Sequence, residues 1–118
     1  MRGPDHKQSS LFSYTQIEDR IAADHPLRRI KVMADMVLHS MSPSFDSLYA
    51  EGGRPSIAPE RLLRALLLQC LFSIRSERGL IEHLDFNMLF RWFVGLSQDE
   101  PVWDHSSFSA NRDRLLKE

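Results

Sequence analysis

The chain has 118 residues, enough for one domain with one core. Apolar residues make up 42%, charged residues 26%, and the formal net charge is -1. That balance excludes a disordered chain and a strongly basic, arm-type nucleic-acid binder, while leaving room for a local positive patch.

Residues 1–14 are polar apart from Leu11, Phe12 and Tyr14, and read as an extended arm ahead of a helical domain over 15–118. The first twenty residues carry no apolar signal-peptide core, which points to the cytoplasm. A short helix is expected over Gln16–Ile21. Asp24 and Pro26 supply a cap and a first-turn proline for the next helix. Its residues Leu27, Ile30, Met33, Ala34, Val37, Leu38 and Met41 recur at the spacing of one helical face. Ser42-Pro43 repeats the signal and opens a short helix with Phe45, Leu48 and Tyr49. Glu51 to Ser56 is the clearest loop.

Pro59 opens a central helix expected over Pro59–Ser73, apolar on nearly all sides and so placed mid-fold, with Leu66, Leu67, Leu71 and Phe72 buried. Cys70, the single cysteine, reads as a buried thiol in that run. No apolar stretch is long enough to span a bilayer. Ser76 caps a helix over Glu77–Phe86, Asn87 caps a turn over Met88–Val94, and Gly95 ends it. Ser97 to Asp104 is an acidic loop, and Ser106 caps a last helix over Ser107–Lys117. No alternating strand pattern or internal repeat is present. The expected fold is all-α, a single compact domain of five to seven helices. The pair Pro59–Ser73 and Glu77–Phe86, with its short bend, is a candidate helix-turn-helix unit.

Twelve of the fifteen basic residues are Arg, the side chain that forks onto phosphate and guanine edges. A GC-rich genome gives the same bias. Arg75 and Arg78 sit at a helix start, where phosphate is favoured. Pairing with Glu77, Glu82 or Asp85 inside the fold is the competing fate. Arg54 lies in a glycine-containing loop, as a phosphate contact or a solvated side chain. Asn111, Arg112 and Arg114 on the last helix are of the types that read bases in the major groove, or else decorate a surface helix balanced by Asp113 and Lys117.

Phe90-Arg91-Trp92-Phe93 reads as a core anchor, with Arg91 then needing a carboxylate partner. Asp99, Glu100 and Asp104 share a short loop with no scaffold to make them converge on metal ions. Asp104 reads better as a residue that opens the following helix. The five histidines are scattered, without metal-ligand spacing. Neither a Gly-rich phosphate loop nor a nucleophile elbow occurs.

Several blocks in order carry a family resemblance. They are Gln8 to Phe12, Asp24 to Arg28, Gly53 to Ile57, Ser73 to Arg78, Asn87 to Leu96, Pro101 to Ser106 and Phe108 to Leu116. Together they resemble the InsH-type N-terminal domain of bacterial insertion-sequence transposases, over nearly the whole chain. In that family the domain precedes an RNase H-like domain whose three carboxylates hold divalent metal.

The resemblance implies a DNA-recognition module without its own catalytic residues or cofactor. Double-stranded DNA at the transposon terminal repeats is the implied partner. A second copy of the chain is a further candidate partner, and neither a membrane nor a small-molecule substrate is implied. The sequence departs from the family at Ala22 and Ala58, where Pro is common, at Ala110, where a basic residue is common, and at Gly79, where a long polar residue is preferred. The alternative functions are a helical interaction domain, with Leu48, Tyr49, Phe86, Phe90 and Trp92 as its surface, or a non-functional transposase remnant.

Overall fold

The computed structural model describes residues 2–5, 16–48 and 57–116. Leu11, Phe12 and Tyr14 of the expected arm, and Arg54 in its loop, lie outside the described residues. The described residues form α1 (Ile17–Arg20), α2 (Pro26–Ser40), α3 (Ser42–Leu48), α4 (Pro59–Leu71), α5 (Glu77–Phe86), α6 (Met88–Val94) and α7 (His105–Leu116). There is no strand among them, so the all-α expectation holds.

Helix starts follow local chemistry. Pro26 and Pro59 take first-turn positions, where a missing N–H costs nothing. The Ser76 hydroxyl accepts from the Gly79 N–H at 3.0 Å, and the Asn87 side chain accepts from the Phe90 N–H at 3.2 Å. A Cβ on Gly79 would stand 3.1 Å from the Ser76 hydroxyl oxygen, so the glycine gives this cap its room. Two expected caps are corrected. With Pro26 at the first helical position the capping place falls on His25, whose Nδ1 accepts from the Leu27 N–H at 3.1 Å; Asp24 is one residue too early. The last helix starts at His105 rather than Ser107, and the Asp104 carboxylate, not Ser106, accepts from the Ser107 N–H at 3.3 Å.

The end of α4 is also earlier than expected. Ser73 adopts a left-handed φ of 53°, its N–H donates to Cys70 O at 3.3 Å, and the Ile74 N–H donates to Gln69 O at 3.0 Å. This pattern closes a helix and is usually made with glycine. Gly95, at φ 100°, closes α6 in a similar way, with the Leu96 N–H donating to Arg91 O at 2.8 Å.

The core is built around α6. Phe90, Phe93 and Val94 are buried against Leu62, Ala65 and Leu68 of α4, Leu80 and Leu84 of α5, and Phe108 and Leu115 of α7. The helix α6 packs on α1, α4 and α5, and α7 packs on α4 and α5. The apolar ring of α4 is thus used unevenly. Its 62/65/68 face is sealed, Leu66 and Leu67 are half-buried, and Leu71 and Phe72 are each 45% exposed. Cys70 is exposed as well, against expectation. The chain turns away at Ser73 with that end only partly covered, Phe72 packing on Phe90 of α6 with ring centroids 5.0 Å apart, so α4 and α5 meet chiefly through α6.

Arg91 is 5% exposed, and its partners are backbone carbonyls rather than the expected carboxylate. Its guanidinium donates to Leu84 O at 2.8 Å, Ser97 O at 2.5 Å, Asp85 O at 3.4 Å and Glu100 O. The last carbonyls of α5 have no helical donors, and Arg91 meets that need while pinning the 97–100 loop. Its Nε has no hydrogen-bond partner among the described residues.

Arg28 ties the chain before α2 to the domain, donating to Ala22 O at 2.8 Å, Ile21 O at 2.7 Å and Glu18 Oε1 at 2.5 Å. The other Glu18 oxygen accepts from the Trp92 indole of α6. Arg28 and Lys31 lie 5.4 and 5.6 Å from the Trp92 ring, the geometry of cation–π contact. Among the described residues no helix is long and apolar enough to cross a membrane.

Candidate nucleic-acid interface

The start of α5 is shaped by three consecutive choices. Ser76 turns its side chain inward to cap the helix. Glu77 follows in the first turn and points at α7, with its side chain only 11% exposed. Arg75 and Arg78, on either side of this pair, are exposed and make no ion pair or side-chain hydrogen bond among the described residues. The competing fate, pairing with Glu77, Glu82 or Asp85, is therefore not the one found for these two arginines.

Glu77 is a clip between helices. One carboxylate oxygen accepts from the Ser109 hydroxyl at 2.7 Å, and the other accepts from Arg112. Arg112 also donates to Asp113 Oδ1 at 2.7 Å. The Asp113 carboxylate beside it, with Glu77 behind, pushes the Arg112 pKa above its ordinary value. Three of the five guanidinium N–H groups are thereby engaged. Asn111 is engaged at both ends: its Oδ1 accepts from the Ile57 N–H at 3.2 Å and its Nδ2 donates to Ser107 O at 2.8 Å. It fixes the chain where it enters α4.

Residues two apart on a helix point about 200° apart, so Arg112 and Arg114 leave α7 on opposite flanks. Arg112 joins the α5 start. Arg114 is exposed and shares the flank of Asn111. The structure therefore brings Arg112 to Glu77 at the α5 start, which Arg75 and Arg78 flank in sequence, while Asn111 and Arg114 lie on another flank of α7.

Arg61, Arg64 and Lys31, by contrast, are committed to the fold. Arg61 pairs with Glu100 and donates to Gly95 O at 2.8 Å. Arg64 meets Asp35 at 2.9 Å, and Lys31 meets the same carboxylate at 3.2 Å. None of these pairs was predicted from sequence. Their partners are 29 to 39 residues apart, except Lys31–Asp35 at the ordinary i,i+4 spacing.

The acidic loop is likewise structural in its contacts. The Arg61 hydrogen bond holds the Glu100 carboxyl below the usual range, and its contact from the Ser97 N–H adds to this. Asp104 is lowered in the same direction by Ser107, whose side chain and N–H it accepts. No group of three or more His, Cys, Asp or Glu residues able to hold a metal ion occurs among the described residues.

The family model described as Transposase domain (DUF772) matches residues 15–114. No curated protein and no solved structure matches the chain. With all but the two ends of the chain covered by that match, the chain belongs to the Transposase domain (DUF772) family.

Proposed function

We propose that this chain is the DNA-binding module of an InsH-type insertion-sequence transposase, recognising double-stranded DNA at the terminal repeats of the element. It acts in the cytoplasm, and the start of α5 is the part of the domain that meets DNA. The observation that carries the reading is the pair of exposed, unpaired arginines, Arg75 and Arg78, at a helix start in a transposase-family domain whose Arg28, Arg61, Arg64, Arg91 and Arg112 are engaged within the fold. They flank the first residue of a ten-residue helix, whose N–H groups and dipole add partial positive charge beside them.

In this reading Arg75 and Arg78 anchor phosphate, with Arg114 and Arg54 as further phosphate contacts. Arg112 has two N–H groups left, and Asn111 has one N–H and one carbonyl lone pair, so both retain groups for a base edge. The segment performs recognition and not strand cleavage, since Glu100 and Asp104 are occupied by Arg61 and Ser107.

Fluorescence anisotropy with terminal-repeat and scrambled duplexes over a salt series tests the proposal. Arg75→Ala or Arg78→Ala should weaken binding to both duplexes alike and make the slope of log affinity against log salt shallower by about 0.9. Arg112→Ala or Asn111→Ala should instead relax the preference for the repeat, by about 1–3 kcal/mol at one base pair for Asn111. Folded protein that binds neither duplex at low salt would sink the reading. The interaction-domain alternative gains nothing from Phe90, which is 2% exposed, or from Trp92, which is held by Glu18. Leu48 and Tyr49 have no described side chains, and Phe86 stands exposed by itself on α5.

A further inference from the structure

The helix α2 carries more apolar surface than the domain covers. At 100° per residue, Val32, Met33, Met36, Val37 and Met41 fall within about half of its circumference. All five are exposed, Met33 at 65% and Met36 at 68%. The opposite side holds Leu27 and Leu38, which are buried, and Asp35, which is engaged by Arg64 and Lys31. Beside the exposed ridge runs an open groove of about 480 Å³, whose far wall is Leu63 and Leu67 of α4. Ridge and groove share Met33, Val37 and Met41.

We propose that this face is where a second copy of the chain docks, with the two α2 helices antiparallel about a two-fold axis near Met33–Met36. Three observations select a copy of the same chain. Ridge and groove lie side by side on one face, so a two-fold axis would set the Met33–Met36 ridge of each protomer toward the Leu63–Leu67 groove of its partner. Size agrees as well. The five fractional exposures amount to on the order of 500 Å² of apolar surface, near the top of the ~300–600 Å² found for the largest patch of a typical monomer. Paired, the two ridges offer up to about 1,000 Å² to bury, the level that a specific interface has to reach.

Charge agrees in turn. Arg29 is the single charged residue on this arc, exposed and without an ion pair among the described residues. Antiparallel pairing lays it beside the C-terminal turn of the other α2, the end of a helix that favours a cation.

The interface is independent of Arg75 and Arg78, so its test does not depend on DNA binding. Sedimentation equilibrium of the 118-residue chain, with reductant present because Cys70 is exposed, should show the mass rising from 13.7 kDa toward twice that value with concentration. Met36→Glu should remain at the single mass while keeping wild-type circular dichroism and melting temperature, because the side chain is exposed. Phe86→Glu, also exposed but on α5, should dimerise as wild type does. A wild-type chain that stays monomeric throughout overturns the proposal, as does dimerisation that Met36→Glu leaves intact or that Phe86→Glu abolishes. Dimers that appear only after removal of residues 1–15 also overturn it, and assign the face to that segment.

Discussion

Replacing Glu77 tests the clip that joins the α5 start to α7, and it has two readouts. The carboxylate is 11% exposed and accepts from Ser109 at 2.7 Å as well as from Arg112. A hydrogen bond to a charged group is worth about 1.5–3 kcal/mol when well shielded. A first-turn acid adds roughly 0.3–1 kcal/mol through the helix dipole. The Arg112 contact lies on a water-exposed guanidinium and contributes mainly by orientation.

Glu77→Ala should therefore cost about 2–3 kcal/mol, a fall in melting temperature of roughly 5–15 °C for a domain of this size. Glu77→Gln keeps an acceptor for Ser109 and should lose less. Removing the carboxylate also frees Arg112 at the helix start that Arg75 and Arg78 flank in sequence. On the DNA-binding reading, the salt slope should then steepen by about 0.9 as one more phosphate is neutralised. Thermal denaturation and the anisotropy salt series check the two effects separately. A melting temperature within about 1 °C of wild type would refute the argument that the clip holds α7 in place.

Three further outcomes follow from the packing and the charges. Leu68→Ala, at a fully sealed position on α4, should cost about 2–5 kcal/mol in chemical denaturation, and Leu67→Ala, half-buried on the groove wall, clearly less; equal losses would show that the α4 faces are misassigned. Ser73→Gly should stabilise the chain by about 0.5–1 kcal/mol by relieving a left-handed backbone at the end of α4, and a destabilised variant would contradict that geometry. Glu18, Glu100 and Asp104 have folded pKa values below their ordinary ones, set mainly by Arg28, Arg61 and Ser107 respectively. Their stabilisation is fully present above the unfolded carboxyl values and is lost as pH falls through the lowered folded ones. The melting temperature should accordingly drop below about pH 4.5, with a smaller drop for Glu100→Gln; a flat profile down to about pH 3 would count against all three contacts.

Helix identity was legible because it is written locally. Pro26, Pro59, Ser76, Asn87 and Gly95 act within four residues of themselves, and each was placed by residue type and spacing. The errors arise where local rules admit more than one answer. Asp24 and His25 could both cap α2, and the position of Pro26 decides between them. On α4 the apolar pattern runs almost all round the helix, so it cannot say which side meets α6. That choice buried Leu62 and Leu68 and left Leu71, Phe72 and Cys70 at the surface. The sequence places Arg91 beside an apolar layer and asks for a carboxylate, yet its partners are helix-end and loop carbonyls, which no residue-type pattern encodes.

The arginines show why the site was less legible than the fold. Every Arg offers the same fork to phosphate, carboxylate or carbonyl, so its fate depends on what tertiary packing brings within reach. Arg28 meets Glu18, Arg61 meets Glu100, Arg64 meets Asp35, and Arg112 meets Glu77 and Asp113. Each pairing uses an acid as well as a base. A net charge of -1 therefore says little about any one surface, because packing decides which acids and bases meet and which are left apart. Glu77 is the sharpest case. By turning inward to Ser109 and Arg112 it leaves Arg75 and Arg78 without the neighbour most able to neutralise them. The start of α5 thus presents two unpaired arginines through the direction one carboxylate takes, on a chain whose composition is slightly acidic.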